Sequence, residues 1–180
     1  MSKFKTALAF SKNVLTTGAL FQTSRKVEIE ISKKLTANGD IVVAEFGMGH
    51  GNITQEILNR LGPNSKLYSF EVNPEFCEVV RKNITDKRLI IVNKGAEELN
   101  TVISEDLDHI VSSIPFTIFS KDLRKQILDI SYQKLKSQGT FSQVLYSKVM
   151  KKKFEMVFDQ MEEKVISKIP PEFVYHWYKK

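Results

Sequence analysis

The chain has 180 residues, 27 Lys plus Arg against 21 Asp plus Glu, and one Cys. A hydrophobic share of 42% excludes general disorder, and a single cysteine excludes a disulfide framework. The charge is uneven: residues 1–35 carry seven bases and two acids, residues 145–180 eight bases and five acids, and the middle twelve bases against fourteen acids, so two basic ends favour an anionic partner.

Residues 3–21 are predicted as an amphipathic helix, with Phe4, Ala7, Leu8, Val14 and Leu15 on one face and Lys5 and Lys12 along its edge. A second helix is predicted from Ser24 to Leu35. The period then changes. Ile41 to Phe46 is a short apolar run that reads as a buried strand, followed at once by Gly47, Gly49 and Gly51. A helix with Ile53, Ile57, Leu58 and Leu61 comes next and stops at Gly62-Pro63. Lys66 to Val72 is the second strand, and Asn73-Pro74 caps and opens the helix after it. Strands are predicted at Arg88 to Asn93 and Asp108 to Ile114. Leu123, Ile127 and Ile130 define a helix ended by Gly139, and Thr140 to Tyr146 is a fifth strand. Two final strands are expected between Lys164 and Tyr178, joined at Pro170-Pro171. No apolar run is long enough to span a bilayer and no signal peptide opens the chain, so a soluble cytoplasmic protein is expected. No spacing of Cys or His offers a metal site.

Strands alternating with helices predict a doubly wound α/β fold with ligands at the carboxyl ends of its strands. The motifs fall there. Glu45-Phe46-Gly47-Met48-Gly49-His50-Gly51 joins a strand to a helix, and its glycines permit a tight turn and close approach of a ligand. Glu71 ends the next strand, at a distance suited to a ribose. Asp108-His109-Ile110-Val111-Ser112-Ser113-Ile114-Pro115-Phe116 closes the fourth strand with a rigid x-Pro-aromatic turn.

These residues together resemble the class I S-adenosylmethionine-dependent methyltransferases. The resemblance implies a Rossmann-like, seven-stranded, mostly parallel sheet with helices on both faces and a C-terminal β-hairpin. It implies a single structural domain, with residues 1–35 as amphipathic and capping helices and 36–180 as the cofactor-binding part. Cofactor contacts carry over to Glu45, Gly47, Met48, Gly49, Gly51, Glu71, Val72, Ala96, Glu97 and Ser112. The family's usual acid after its third strand falls at Gly95, and Glu97 is the candidate to replace it.

Two subfamilies compete for the acceptor. Gly18 to Arg25, Val111 to Phe116, Leu135 to Gly139 with Phe141 to Tyr146, and Ile169-Pro170-Pro171 are similar to segments of bacterial phospholipid and ornithine lipid N-methyltransferases. That resemblance implies transfer of methyl to a lipid amine at the inner face of the cytoplasmic membrane. Ser113, Pro115, Phe116 and Tyr146 would meet the acceptor. Phe4, Lys5, Leu8, Lys12, Arg25 and Lys148 would meet an anionic membrane surface. The rRNA adenine N6-methyltransferases share the glycine turn and Ile114-Pro115-Phe116, but have Asn where this chain has Ser113. A cofactor-binding module without catalysis is the third alternative.

Overall fold

The computed structural model describes residues 23–35, 39–166 and 171–180. The helix expected at 3–21, with Phe4, Lys5, Leu8 and Lys12, lies outside the described residues, as does Pro170. The first described helix, α1, spans Arg25–Ile31. Then come β1 Val42–Phe46, α2 Asn52–Leu58, β2 Lys66–Phe70, α3 Pro74–Asn83 and β3 Leu89–Val92. A 3₁₀ turn at Ala96–Glu98 leads into α4 Leu99–Val102 and β4 Leu107–Ser112. A second 3₁₀ turn at Phe116–Ile118 precedes α5 Lys121–Lys134 and β5 Leu135–Leu145. A third, Lys148–Met150, leads into α6 Lys151–Glu155, and β6 Gln160–Ile166 and β7 Glu172–Tyr178 complete the order.

The sheet has seven strands in the order β3-β2-β1-β4-β5-β7-β6. All pairs from β3 across to β5 are parallel, and β7 pairs antiparallel with both β5 and β6. The chain steps outward from β1 to β2 and β3, then returns to place β4 on the other side of β1. The strand order therefore reverses at β1, the kind of switch point at whose carboxyl ends open α/β sheets take their ligands.

Side-chain alternation divides the core between the two faces. On one face Ala44, Phe46, Ile110, Phe141, Tyr175 and Trp177 pack with Leu99, Ile127 and Leu128 from the helices. On the other Val43, Leu67, Val111, Val144 and Val174 pack with Val27 and Ile31 of α1 and Ile53 and Ile57 of α2. Ser24 Oγ, just before α1, donates to Glu172 Oε2 at 2.9 Å and ties that helix to the start of β7. Asn73 caps α3 by accepting from the Glu75 N–H at 2.9 Å, as its position before Pro74 requires.

The expected stop at Gly139 is corrected. Helix α5 ends at Lys134 and passes directly into β5. Between the pairs Leu107–Leu135 and His109–Thr140 the register slips, so β5 carries extra residues opposite Asp108. Gln138 within them adopts φ +66°. Gly139 serves this bulge: a Cβ there would lie 2.8 Å from the Lys136 carbonyl and 3.1 Å from that of Asp108.

Candidate active site

The turn after β1 is built on three left-handed glycines, Gly47 at φ +84°, Gly49 at +53° and Gly51 at +88°. Each faces a different neighbour. A Cβ on Gly47 would sit 3.1 Å from Ser113 Oγ and 3.0 Å from Ile114 Cγ2. One on Gly51 would press against Ile84 and Val80. One on Gly49 would meet nothing within 4 Å. Gly49 is therefore the point where the turn lies open. The turn is held from β2: the N–H groups of Gly47 and Met48 both donate to the Phe70 carbonyl, at 3.0 and 3.2 Å. Met48 itself is buried with Cys77 and Val80.

Glu71 follows β2 and reaches back to this turn. Its Oε2 accepts from the Gly49 N–H at 3.0 Å and its Oε1 from the Asn73 N–H at 2.8 Å. Burial pushes its carboxyl up, opposed by the N–H groups of Asn73, Gly49 and Val72. The exposed His50 ring packs over Phe76, with centroids 4.5 Å apart, and its charge would lower the Glu71 carboxyl.

Glu45 lies beneath the glycines and is 1% exposed. Its Oε2 accepts from Thr54 Oγ at 2.8 Å and Ser69 Oγ at 2.6 Å. Its Oε1 is buried with no hydrogen-bond partner among the described residues. Burial lifts this carboxyl to about 7, with the Ser69 and Thr54 hydroxyls pulling the other way and Glu71 adding to the rise. A half-satisfied buried carboxylate is costly unless it is paired or holds a proton. Thr54 and Ser69 were not singled out in the sequence. The signal for Ser69 is a serine inside an otherwise apolar strand.

After β3, Ala96 is buried and Gly95 has ordinary negative φ. Gly95 lies beside the flexible end of the Glu97 side chain. A Cβ there would lie 2.6 Å from both Cδ and Oε1 of Glu97. The Glu97 carboxylate thus occupies the volume that a side chain at 95 would take.

The turn after β4 is fastened to the glycine turn. The Ser113 N–H donates to the Phe46 carbonyl at 2.9 Å, and Ser113 Oγ donates to the Gly47 carbonyl at 2.8 Å. Gln143, fully buried on β5, donates through Nε2 to the Ile114 carbonyl at 3.1 Å. That role was not legible in the sequence. Ser112 Oγ is buried with no hydrogen-bond partner among the described residues. Pro115 is half-buried, whereas Phe116 is fully buried. Its ring lies 5.0 Å from that of Phe154 and 6.4 Å from that of Phe141. The expectation of a ring beside the acceptor is corrected: Phe116 is turned into the core.

Three further residues stand apart from this cluster. Tyr146, just past β5, is half-buried, its phenol pushed up to about 12 by burial, with the charge of Glu172 adding. Arg25 reaches Glu56 at 2.5 Å and Glu28 at 3.1 Å, which ties α1 to α2, while its side chain stays 61% exposed. Lys148 Nζ lies 2.9 Å from Glu163 Oε1 and over the Phe173 ring. It too is engaged within the fold.

Among the described residues there is no group of three or more side chains placed to hold a metal, and no helix long and apolar enough to cross a membrane.

The comparisons agree with this architecture. A family model described as a methyltransferase domain matches residues 43–139, more than half of the chain. The chain is similar to the ornithine lipid N-methyltransferase of Singulisphaera acidiphila, 30% identical over 108 residues, which is 57% of this chain and 56% of that protein. The match thus spans only about half the length of that curated relative. The fold is similar to that of precorrin-6y C5,15-methyltransferase from Geobacter metallireducens, with a TM-score of 0.73 at 19% identity over 88% of this chain and 92% of that one. It is also similar to a Streptococcus mutans protein solved in complex with SAH, with a TM-score of 0.67 at 15% identity over 87% of this chain and 99% of that one. The chain belongs to the methyltransferase-domain family.

Proposed function

We propose that the chain transfers methyl to the amine of an aminolipid headgroup at a membrane to which it attaches peripherally. The observation that carries this reading is the similarity to an ornithine lipid N-methyltransferase. The site offers what the donor requires. Glu45 Oε1 is a buried acceptor awaiting a cation, and the amino acid part of the donor carries an ammonium. Gly49 leaves the turn open to a ligand, and Glu71 faces it with two acceptor oxygens suited to vicinal hydroxyls. Glu97, seated over Gly95, accepts from the adenine amino group. Met48, Val72, Ala96 and Ser112 complete the cofactor pocket.

S-adenosylmethionine supplies a methyl group on a sulfonium, which an uncharged amine takes by in-line displacement. The amine gives up its proton to solvent before attack, S-adenosylhomocysteine leaves as the C–N bond forms, and the protein's part is to orient that amine. Ser113 Oγ spends its proton on the Gly47 carbonyl. Its lone pairs then face outward as acceptors for an amine N–H. The same bond fixes the acceptor turn, with Pro115, to the glycine turn, so donor and acceptor are registered against one another. Tyr146 keeps its proton at neutral pH and donates to the anionic group beside the amine.

The test is transfer of radiolabelled methyl to vesicles containing phosphatidylethanolamine or ornithine lipid with anionic lipid, beside ribosomal RNA. Label in the lipid fraction is expected. Label in RNA alone would replace the aminolipid reading with the nucleic-acid one.

A further inference from the structure

The 3₁₀ turn Phe116–Ile118 and the segment Lys148–Glu155 follow β4 and β5 directly, at the carboxyl edge of the sheet where the glycine turn also lies. The two segments are anchored to one another. Phe116, Met150 and Phe154 are buried, with the Phe116 and Phe154 rings 5.0 Å apart. Arg124 Nη1 reaches both the Phe116 carbonyl at 3.5 Å and Met150 Sδ at 3.6 Å.

Burying Met150 and Phe154, four apart, turns the opposite stripe outward. That stripe is Val149, Lys152, Lys153 and Met156, at helical spacing. Val149 is 78% exposed and Met156 77%. Ile118 is exposed on the neighbouring turn. Val149 and Met156 are the two most exposed large apolar side chains among the described residues. Cations stand among them. Lys148 and Lys151 both pair with Glu163, and Glu155 lies 3.8 Å from Lys151. Lys121, Lys152 and Lys153 are exposed and form no ion pair among the described residues.

We infer that this face, with Ile118, Val149 and Met156 as inserting tips and Lys121, Lys152 and Lys153 between them, docks on an anionic lipid bilayer. Lysines alone would serve any polyanion. The apolar tips decide between occupants, since they gain from an acyl interior and nothing from a phosphate backbone. Docking here sets the carboxyl edge of the sheet, with Ser113 and Tyr146, against the headgroups. The choice of a bilayer rests on the aminolipid reading, and the experiment separates the two.

The full chain is sedimented with phosphatidylcholine vesicles, with and without phosphatidylglycerol, at low and high salt. Binding to the anionic vesicles, weakened by salt, is expected. Lys152→Gln with Lys153→Gln should weaken it roughly thirty-fold, at about fivefold per lysine near such a surface. Val149→Ser with Met156→Ser should weaken it comparably while leaving calorimetric binding of S-adenosylhomocysteine unchanged. Lys82→Gln with Lys87→Gln removes the same charge elsewhere and should have little effect. Equal loss in that control, unchanged binding in both patch variants, or no vesicle binding by the parent chain would each overturn the inference. RNA binding that depends on Lys152 and Lys153 without vesicle binding would overturn it in favour of nucleic acid. Vesicle binding through this face with no label entering lipid would uphold the surface and sink the acceptor reading alone.

Discussion

Replacing Gly49 by alanine separates cofactor binding from folding, because of what surrounds that residue. Its φ of +53° lies in the left-handed well, where a Cβ costs about 1–2 kcal/mol. No atom lies within 4 Å of the new methyl, so no packing term is added. The melting temperature should therefore fall by roughly 2–8 °C for a chain of this size. The methyl enters the space through which a ligand would approach the turn. Affinity for S-adenosylhomocysteine should drop at least about tenfold, a loss of about 1.4 kcal/mol. Gly51→Ala provides the contrast. Its φ is +88°, and its methyl would lie 3.0 Å from Ile84 Cδ1 and 3.1 Å from Val80 Cγ2. Overpacking adds about 1–3 kcal/mol to the backbone cost, so this variant should melt lower than Gly49→Ala. Differential scanning fluorimetry and isothermal titration calorimetry on the two proteins give both readouts. Affinity in Gly49→Ala within about twofold of the parent would refute the assignment of the open turn as the cofactor cradle.

Glu45 should make stability depend on pH. Its carboxyl rises from 4.5 to about 7 on folding, so the folded state holds the proton more tightly and stability is lost as pH climbs through that window. Urea unfolding at pH 4.5 and pH 7.5 should show the parent losing about 3 kcal/mol relative to Glu45→Gln; parallel curves would refute the burial argument. Phe116→Ala should cost about 3–5 kcal/mol by leaving a cavity among Phe119, Phe141 and Phe154. A variant of normal stability with lost activity would return the ring to the acceptor site. Glu97→Ala should lower affinity for S-adenosylhomocysteine in calorimetry by removing the acceptor for the adenine amino group. Unchanged affinity would refute that assignment.

Much of the site was legible because its elements are local. Three glycines after an apolar run require a left-handed turn, and Asn73-Pro74 can only open a helix. Phe116 was harder, since a Pro-aromatic turn has the same sequence whether its ring faces solvent or core. The direction is set by Phe141 and Phe154, which reach it from β5 and α6. The ion pair of Arg25 with Glu56 was hidden for the same reason. Glu56 is distant in sequence, and no local pattern announces that α1 and α2 lie side by side. Gly139 carried a correct signal with the wrong object: it marks a close backbone approach at a bulge and not a helix end.

The position of β7 bears on how the molecule is made. Synthesised after β6, it lies between β5 and β6 and supplies both the Tyr175 and the Trp177 side chains to the core. A nascent chain that has emerged only as far as β6 has no neighbour for that strand, because β6 reaches the sheet only through β7. Until then the edge of β5 stays open and its apolar face uncovered, a state in which strands pair with the wrong chain. Closure of the sheet thus waits for the synthesis of β7. The single tryptophan lies in the strand that completes it, so its fluorescence is an intrinsic reporter of that step.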